Sequence, residues 1–476
     1  MLGLFGTLGL GQRALQTQRQ GVEVAGQNLA NVNNPAYARQ RLVVASSLSI
    51  PSAVGPQGTG VEAVAIQQLR SALVDSQMQT EVSVSGFWES QQMALQYAQA
   101  DLGQQINSAD TSADGTTATG SGTGQYSIAQ GLSDLFNGFQ TVATSPTSMA
   151  ERQVLMMKAQ TLATQFNQVD ARLGQLNTFL NESVTHDVSS ANRLLGEVAK
   201  LNDQIYKSEL GASGVANDLR DTRQQKLEQL SKFVNIQTTA QSNGMVDVAI
   251  AGQSLVTGNT LADNLQAYDP GTGQLLVRTQ SGAVSLTLTG GSIQGSVDAR
   301  DGDVKKLRDS LNTLAAGLIT TVNSVHAAGY NLNGVAGNDF FTGTNAGDIN
   351  VNGLLLNNPA LVQASGSTTA VGDNTTMLAL SQLANQPQAG LSNQTFSQSY
   401  GQTVATLGQA LSSVNNQQAD QQVVQNLLQK QRDSYSGVSL DEEMTNLIKY
   451  QKAFEASARL INTIDEMLDT VLSLKR

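Results

Sequence analysis

Two histidines, His186 and His326, and no cysteine stand in the 476 residues of this chain. Those residue types carry much of nucleophilic, general-base and transition-metal chemistry. A catalytic histidine needs an orienting partner and a nucleophile or water within hydrogen-bond reach. Neither histidine lies in a motif that supplies one. Both fall in helical stretches and read as ordinary helix residues. No His-Glu-x-x-His run is present, so the zinc-protease pattern is missing. Without cysteine there are no disulfides, thiolate zinc sites or cysteine nucleophiles. Folding then never waits on oxidation, which suits a chain that leaves the cell unfolded and folds at its destination.

The remaining polar clusters read as structure. Asp298, Asp301 and Asp303 invite a calcium reading, but Gly302 falls in the fifth place of an EF-hand loop, not the sixth. The expectation is a turn leading into a capped helix. Asp218, Arg220, Asp221 and Arg223 read as a helix N-terminus with local salt bridges. The Gly-Ser-Gly-Thr-Gly run at 120–124 follows no strand, so it is not a phosphate loop. The reading is no catalytic residue, no metal and no cofactor.

Composition agrees with an assembly part. Hydrophobic residues make up 40% of the chain, enough for globular cores, while charged residues reach only 14%. A net charge of -11 argues against nucleic acid, because phosphate binding needs a basic face. No apolar run approaches the ~18–20 residues that span a bilayer, so no membrane partner is expected. Residues 1–13 lack the basic start and small-residue cleavage site of a secretory signal, so export would use an uncleaved signal.

The most informative elements are the two ends. Leu8, Leu15, Val22 and Leu29 are seven apart, and Leu4, Gly11, Gln18, Ala25 and Val32 fill a second seam. That is a heptad helix of about 25 residues, roughly 37 Å, ending at Asn33-Asn34-Pro35. At the other end, Ser439 and Glu442 form a capping-box pattern, and Leu440, Leu447, Phe454, Ile461 and Leu468 make five heptad positions joined by Ile464 and Val471. Asp441, Glu442 and Glu443 open this helix and Lys475 and Arg476 close it, as the macrodipole favours.

Between the ends the period changes. Residues 37–70 read as a hairpin and about 67–102 as a helix carrying Trp88, expected in the core or at an inter-domain contact. A polar low-complexity loop is expected at 107–125. Ser148 and Glu151 form a capping box for a heptad helix, expected with breaks to about 209, and Gly211 to Gly214 ends it. Another helix is expected from Asp218 to about 232. Residues 234–300 alternate as antiparallel β, about 303–328 is helical, and 330–395 is turn-rich. A final helix pair spans about 396–472 with a break at Ser436-Gly437.

The run GQNLANVNNPAYARQR at 26–41 resembles the signature shared by flagellar rod, hook and hook-associated proteins, and SLDEEMTNLIKYQKAFEASARLINTIDEMLDTVL at 439–472 resembles its C-terminal partner. Internal segments 131–167, 216–236 and 318–341 narrow the resemblance to the hook-associated protein 1 family, over most of the chain. The resemblance implies a structural adaptor ring between hook and filament. It implies export by the flagellar type III system without cleavage, extracellular placement on the flagellum, and no enzyme activity. Implied partners are the hook protein, hook-associated protein 3, further copies of the chain, and an export chaperone on the C-terminal helix.

The expected fold is multidomain α + β. Residues 1–36 with 433–476 form a terminal coiled coil. Residues 37–233, 301–329 and 396–432 form a helical middle domain with a small β-hairpin. Residues 234–300 and 330–395 form an inserted mainly-β outer domain. The expected assembly surface is Leu8, Leu15, Val22, Leu29 and Val32 with Leu440, Leu447, Phe454, Ile461, Ile464 and Leu468. A lone heptad helix exposes its seam, so the termini are expected to order on assembly. Competing readings are a hook-like axial protein, or a secreted adhesin using the β domain.

Overall fold

The computed structural model describes residues 3–51, 55–103, 127–210 and 215–473. The expected loop at 107–125, the helix end at Gly211–Gly214, and Lys475 and Arg476 lie outside these stretches.

Helix α1 runs Leu4–Ala30 and stops at Asn31, four residues short of Pro35. Strands β1 (Gln40–Ser46), β2 (Ser49–Ile50), β3 (Gln57–Gly58) and β4 (Val61–Gln68) fold back as two antiparallel pairs, β1 with β4 and β2 with β3. Four helices follow: α2 (Ala72–Asp101), α3 (Ile128–Thr144), α4 (Met149–Glu209) and α5 (Asn217–Phe233). Ser71, Ser127 and Ser148 cap the first three by accepting a backbone N–H three residues on. Helix α4 is unbroken over 61 residues, about 90 Å, where breaks were expected.

Strands β5 (Ile236–Ala240), β6 (Val246–Ile250), β7 (Gln253–Thr257) and β8 (Thr260–Leu261) form an antiparallel meander, and β9 (Leu265–Tyr268) pairs with β10 (Leu276–Thr279). The β reading of 234–300 fails at its end, because Gly291–Ala299 is helix α6. Its glycines were mistaken for turn signals. Gly291 has φ +82 against the Phe233 carbonyl, and a Cβ on Gly295 would sit 2.3 Å from the Phe87 carbonyl oxygen. They allow a helix to press against α2 and α5.

The expected capped turn at 298–303 is also replaced. Arg300–Val304 is a π-helical turn that carries α6 straight into α7 (Lys305–Ala327). Arg300 is fully buried there, bonding to Asn181 and to the Leu275 carbonyl. Short elements fill the next stretch: β11 (Phe341–Thr342), β12 (Asn350–Val351), α8 (Gly353–Asn357) and α9 (Thr375–Gln382). The chain ends in α10 (Phe396–Ser436), opened by a Thr395–Gln398 capping box, and α11 (Leu440–Ser473).

Two apolar cores result. The first joins α3, the first half of α4, α7 and α10, with Trp88 packed on its edge. The second joins the later part of α4 with α5, α6 and the strands. The expected grouping of 330–395 with the β segment is corrected here. Phe340, Phe341, Val351, Leu355, Val362, Met377 and Leu391 all enter the first, helical core. His326 pins that loop: it is fully buried, bonds to the Asn338 carbonyl at 2.8 Å, and accepts the Gln363 N–H at 3.0 Å. His186 lies on the exposed side of α4 beside Asp187.

Candidate functional site

The chain ends meet. Helices α1 and α11 lie antiparallel along each other: Gly11 faces Ile461, Gly21 faces the Tyr450 ring, and Asn28 reaches Glu443. A Cβ on Gly21 would sit 2.6 Å from the Tyr450 ring, and one on Gly11 would sit 2.9 Å from Ile461. Large residues of α11 thus fill holes left by small residues of α1.

On α11 the line facing α1 is Glu443, Leu447, Tyr450, Phe454, Ser457, Ile461, Ile464 and Leu468, all buried or half-buried. Leu447, Phe454, Ile461, Ile464 and Leu468 were picked out by sequence. Leu440 stands off the line that faces α1 and is 52% exposed, because α1 ends two residues past Asn28, level with Glu443.

On α1 the expected second seam is buried at Gly11 and Ala25, while the expected leucine line is not the buried one. The buried positions are Gly11, Thr17, Gly21, Val24, Ala25 and Asn28. Leu8, Leu15, Val22 and Leu29 stand half-buried at the seam's margin, and Val32 lies beyond the helix end. Leucine spacing misled because the partner helix supplies the bulk. The true seam holds glycine, alanine and asparagine. Thr17 points instead to the Val61 carbonyl, and Arg13 to Ser47 and Thr59, so α1 is also covered by the hairpin.

Where the pair meets the body, the polar residues of the 26–41 signature build a joint. Asn28 accepts from the Tyr37 hydroxyl (2.8 Å) and the Gln40 N–H (3.0 Å), and donates to the Gln40 carbonyl (2.8 Å) and Glu443 (3.1 Å). Arg39 binds Glu443 at 2.7 Å and Glu442 at 2.7 Å. Glu442 is therefore turned to Arg39. Sequence reasoning missed Asn28, Arg39 and Glu443. Their only signal was the density of polar side chains beside Pro35.

The charged group on α5 is part of the same joint, not the local salt-bridge set expected. Asp221 accepts from the Ala38 N–H (3.2 Å), Gln68 (2.6 Å) and Arg70 (3.0 Å), and Asp218 accepts from Gln40 (3.1 Å). Arg220 grips Glu209 on α4, and Arg223 donates to Asn202 and the Gly244 carbonyl. Burial pushes the Asp221 carboxyl up to about 6, against the pull of Arg70. Burial likewise lowers Arg223 to about 10. Tyr37 is pushed well above the usual phenol range by burial, then by Asp218, Asp221 and Glu443.

This is the chemistry of a mechanical joint. Among the described residues no group of three or more His, Cys, Asp or Glu could hold a metal ion, and no helix is long and apolar enough to cross a membrane.

The pairing of the chain ends agrees with the resemblance of residues 26–41 and 439–472 to axial proteins of the flagellum. A family model described as the helical domain of flagellar hook-associated protein FlgK matches residues 118–341. A second, the C-terminal segment of flagellar basal body rod FlgEFG proteins, matches 429–474. Flagellar hook-associated protein 1 of Escherichia coli is 24% identical over 97% of this chain and 98% of its own length. That of Bacillus subtilis is 25% identical over 99% of each. The fold is similar to the flagellar hook junction protein FlgK of Burkholderia pseudomallei, at TM-score 0.62 and 18% identity, over 76% of this chain and all of that one. By these likenesses the chain is a structural flagellar protein of the hook–filament junction, similar over nearly its whole length to flagellar hook-associated protein 1.

Proposed function

We propose that many copies of this chain form the ring that seats the filament on the hook, with the terminal helix pair as the assembly element and no catalytic role. One observation carries this. Helix α11 is 34 residues long, yet it buries only Glu443 and Ile464. Its outer side leaves Met444, Ile448, Met467, Val471 and Leu472 about half exposed or more. A helix this uncovered is marginal alone, and lateral copies would bury it.

In this reading Leu8, Leu15, Val22 and Leu29, at the margin of the α1 seam, and Val32 just beyond it complete the contact between copies. Leu447, Phe454, Ile461, Ile464 and Leu468 hold the pair, and Leu440 joins the outward surface. Hook protein lies on one side of the ring and hook-associated protein 3 on the other. A cytoplasmic chaperone covers the C-terminal helix before type III export, without cleavage. The domain division keeps its terminal unit, while 330–395 moves to the helical middle unit.

Ile448→Glu tests the proposal, because Ile448 is 53% exposed and off the α1 seam. The variant is expected to fold and be secreted yet fail to enter the ring, leaving cells without filaments. Normal filaments with Ile448→Glu would contradict lattice burial of this face.

A further inference from the structure

The apolar pattern of α11 does not choose its own register. Leu447, Phe454, Ile461 and Leu468 recur every seven residues, so sliding by one heptad, about 10 Å, sets a leucine, phenylalanine or isoleucine in nearly every vacated place. Half-buried apolar residues give little penalty for that slip. Something else must fix the pairing.

Two features break the repeat. Tyr450 sits over Gly21, but Tyr450 is half-exposed and free to swing aside. The other is the node at the joint. Glu443 is 3% exposed and Asn28 1% exposed. Glu443 binds Asn28 on α1 and Arg39 on the segment leading into β1. Arg39 is anchored in turn, its N–H donating to the Ser436 carbonyl at 2.8 Å. A one-heptad slip would bring Tyr450 or Ser436 to the place of Glu443. Asn28 would then lose its one partner on α11, and Arg39 would be left without its buried carboxylate. Buried polar groups placed singly in an apolar seam act in this way to select register.

We propose that the Asn28–Glu443–Arg39 node is a register lock, which holds α11 against α1 in one alignment and so fixes which surface the pair presents outward. The lock is a positioning device that operates within one chain. It stands whether or not the ring reading is right.

The absence of cysteine makes the register directly readable. In the full-length chain, Gly21→Cys with Tyr450→Cys reports the aligned pair, and Ala14→Cys with Tyr450→Cys reports a one-heptad slip. Both constructions remove Tyr450, leaving the node to decide. With the node intact, oxidation is expected to give the aligned disulfide in large excess and little of the slipped one. Adding Asn28→Leu with Glu443→Leu should keep helix content while the two disulfides approach equal yield. An unchanged excess of the aligned disulfide would overturn the lock. Should the double variant lose helix, Arg39→Met decides instead, since Arg39 lies in the sequence of neither helix. A fall in aligned disulfide supports the lock, and no change refutes it.

Discussion

Acidification should destabilise the helical core through one residue. His326 is fully buried, and burial lowers its pKa from 6.5 to about 4, with Arg152 adding to the effect and the Asn338 carbonyl opposing it. Its Nε2 accepts the Gln363 N–H, so the neutral ring is built into the 330–395 loop. The sign follows from linkage. Between pH 6.5 and 4 the unfolded chain takes up a proton that the folded chain refuses. The stabilisation is complete above pH 6.5 and is lost as pH falls toward 4. A depression of roughly 2.5 units corresponds to about 3 kcal/mol. Trp88 is the single tryptophan and packs on this core, so its fluorescence during urea unfolding reports the right region. The assay compares wild type with His326→Gln between pH 7.5 and 4. The variant loses stability at every pH through its broken bonds, and the gap to wild type should narrow by about 3 kcal/mol toward pH 4. A gap that stays constant across that range would refute the neutral buried histidine.

Asp221 should behave with the opposite sign. Its folded pKa is raised to about 6, so its contribution falls as pH rises from 4 through 6. Asp221→Asn should therefore gain on wild type by up to about 3 kcal/mol between pH 4 and 7.5, read by hydrogen exchange of residues 36–40. A pH-independent difference would count against it. Gly295→Ala sets a helix-propensity gain of about 1 kcal/mol against a Cβ placed 2.3 Å from the Phe87 carbonyl oxygen. Backbone must move, so a net loss of about 1–3 kcal/mol is expected in urea titration, and a stabilised variant would be inconsistent with the packing.

Long periodic elements were legible in the sequence. The α10–α11 break was marked by Ser436-Gly437, and the line Leu447, Phe454, Ile461, Leu468 came from heptad spacing. What stayed hidden depended on tertiary contact. Gly11 and Ala25 of the α1 seam followed from the second heptad line, but Gly21 and Asn28 carry no hydrophobic signal, so the leucines beside them attracted the reading. The glycines of 290–295 signal turns locally, but they serve close helix packing against Phe87 and Phe233. Residues 330–395 have no periodicity, so nothing in their sequence shows that Phe340, Phe341 and Met377 enter the helical core. The charged residues at 218–223 gave local pairing only, since their partners Ala38, Gln68 and Arg70 are about 150 residues away or more.

The most direct test of the assembly account is complementation of a strain lacking its hook–filament junction protein, comparing the full chain with a version ending before Ser439. The account predicts filaments with the full chain and none with the truncated one, although both retain the middle units. Filaments from the truncated chain would show that α11 is not the assembly element and would contradict the account at its centre.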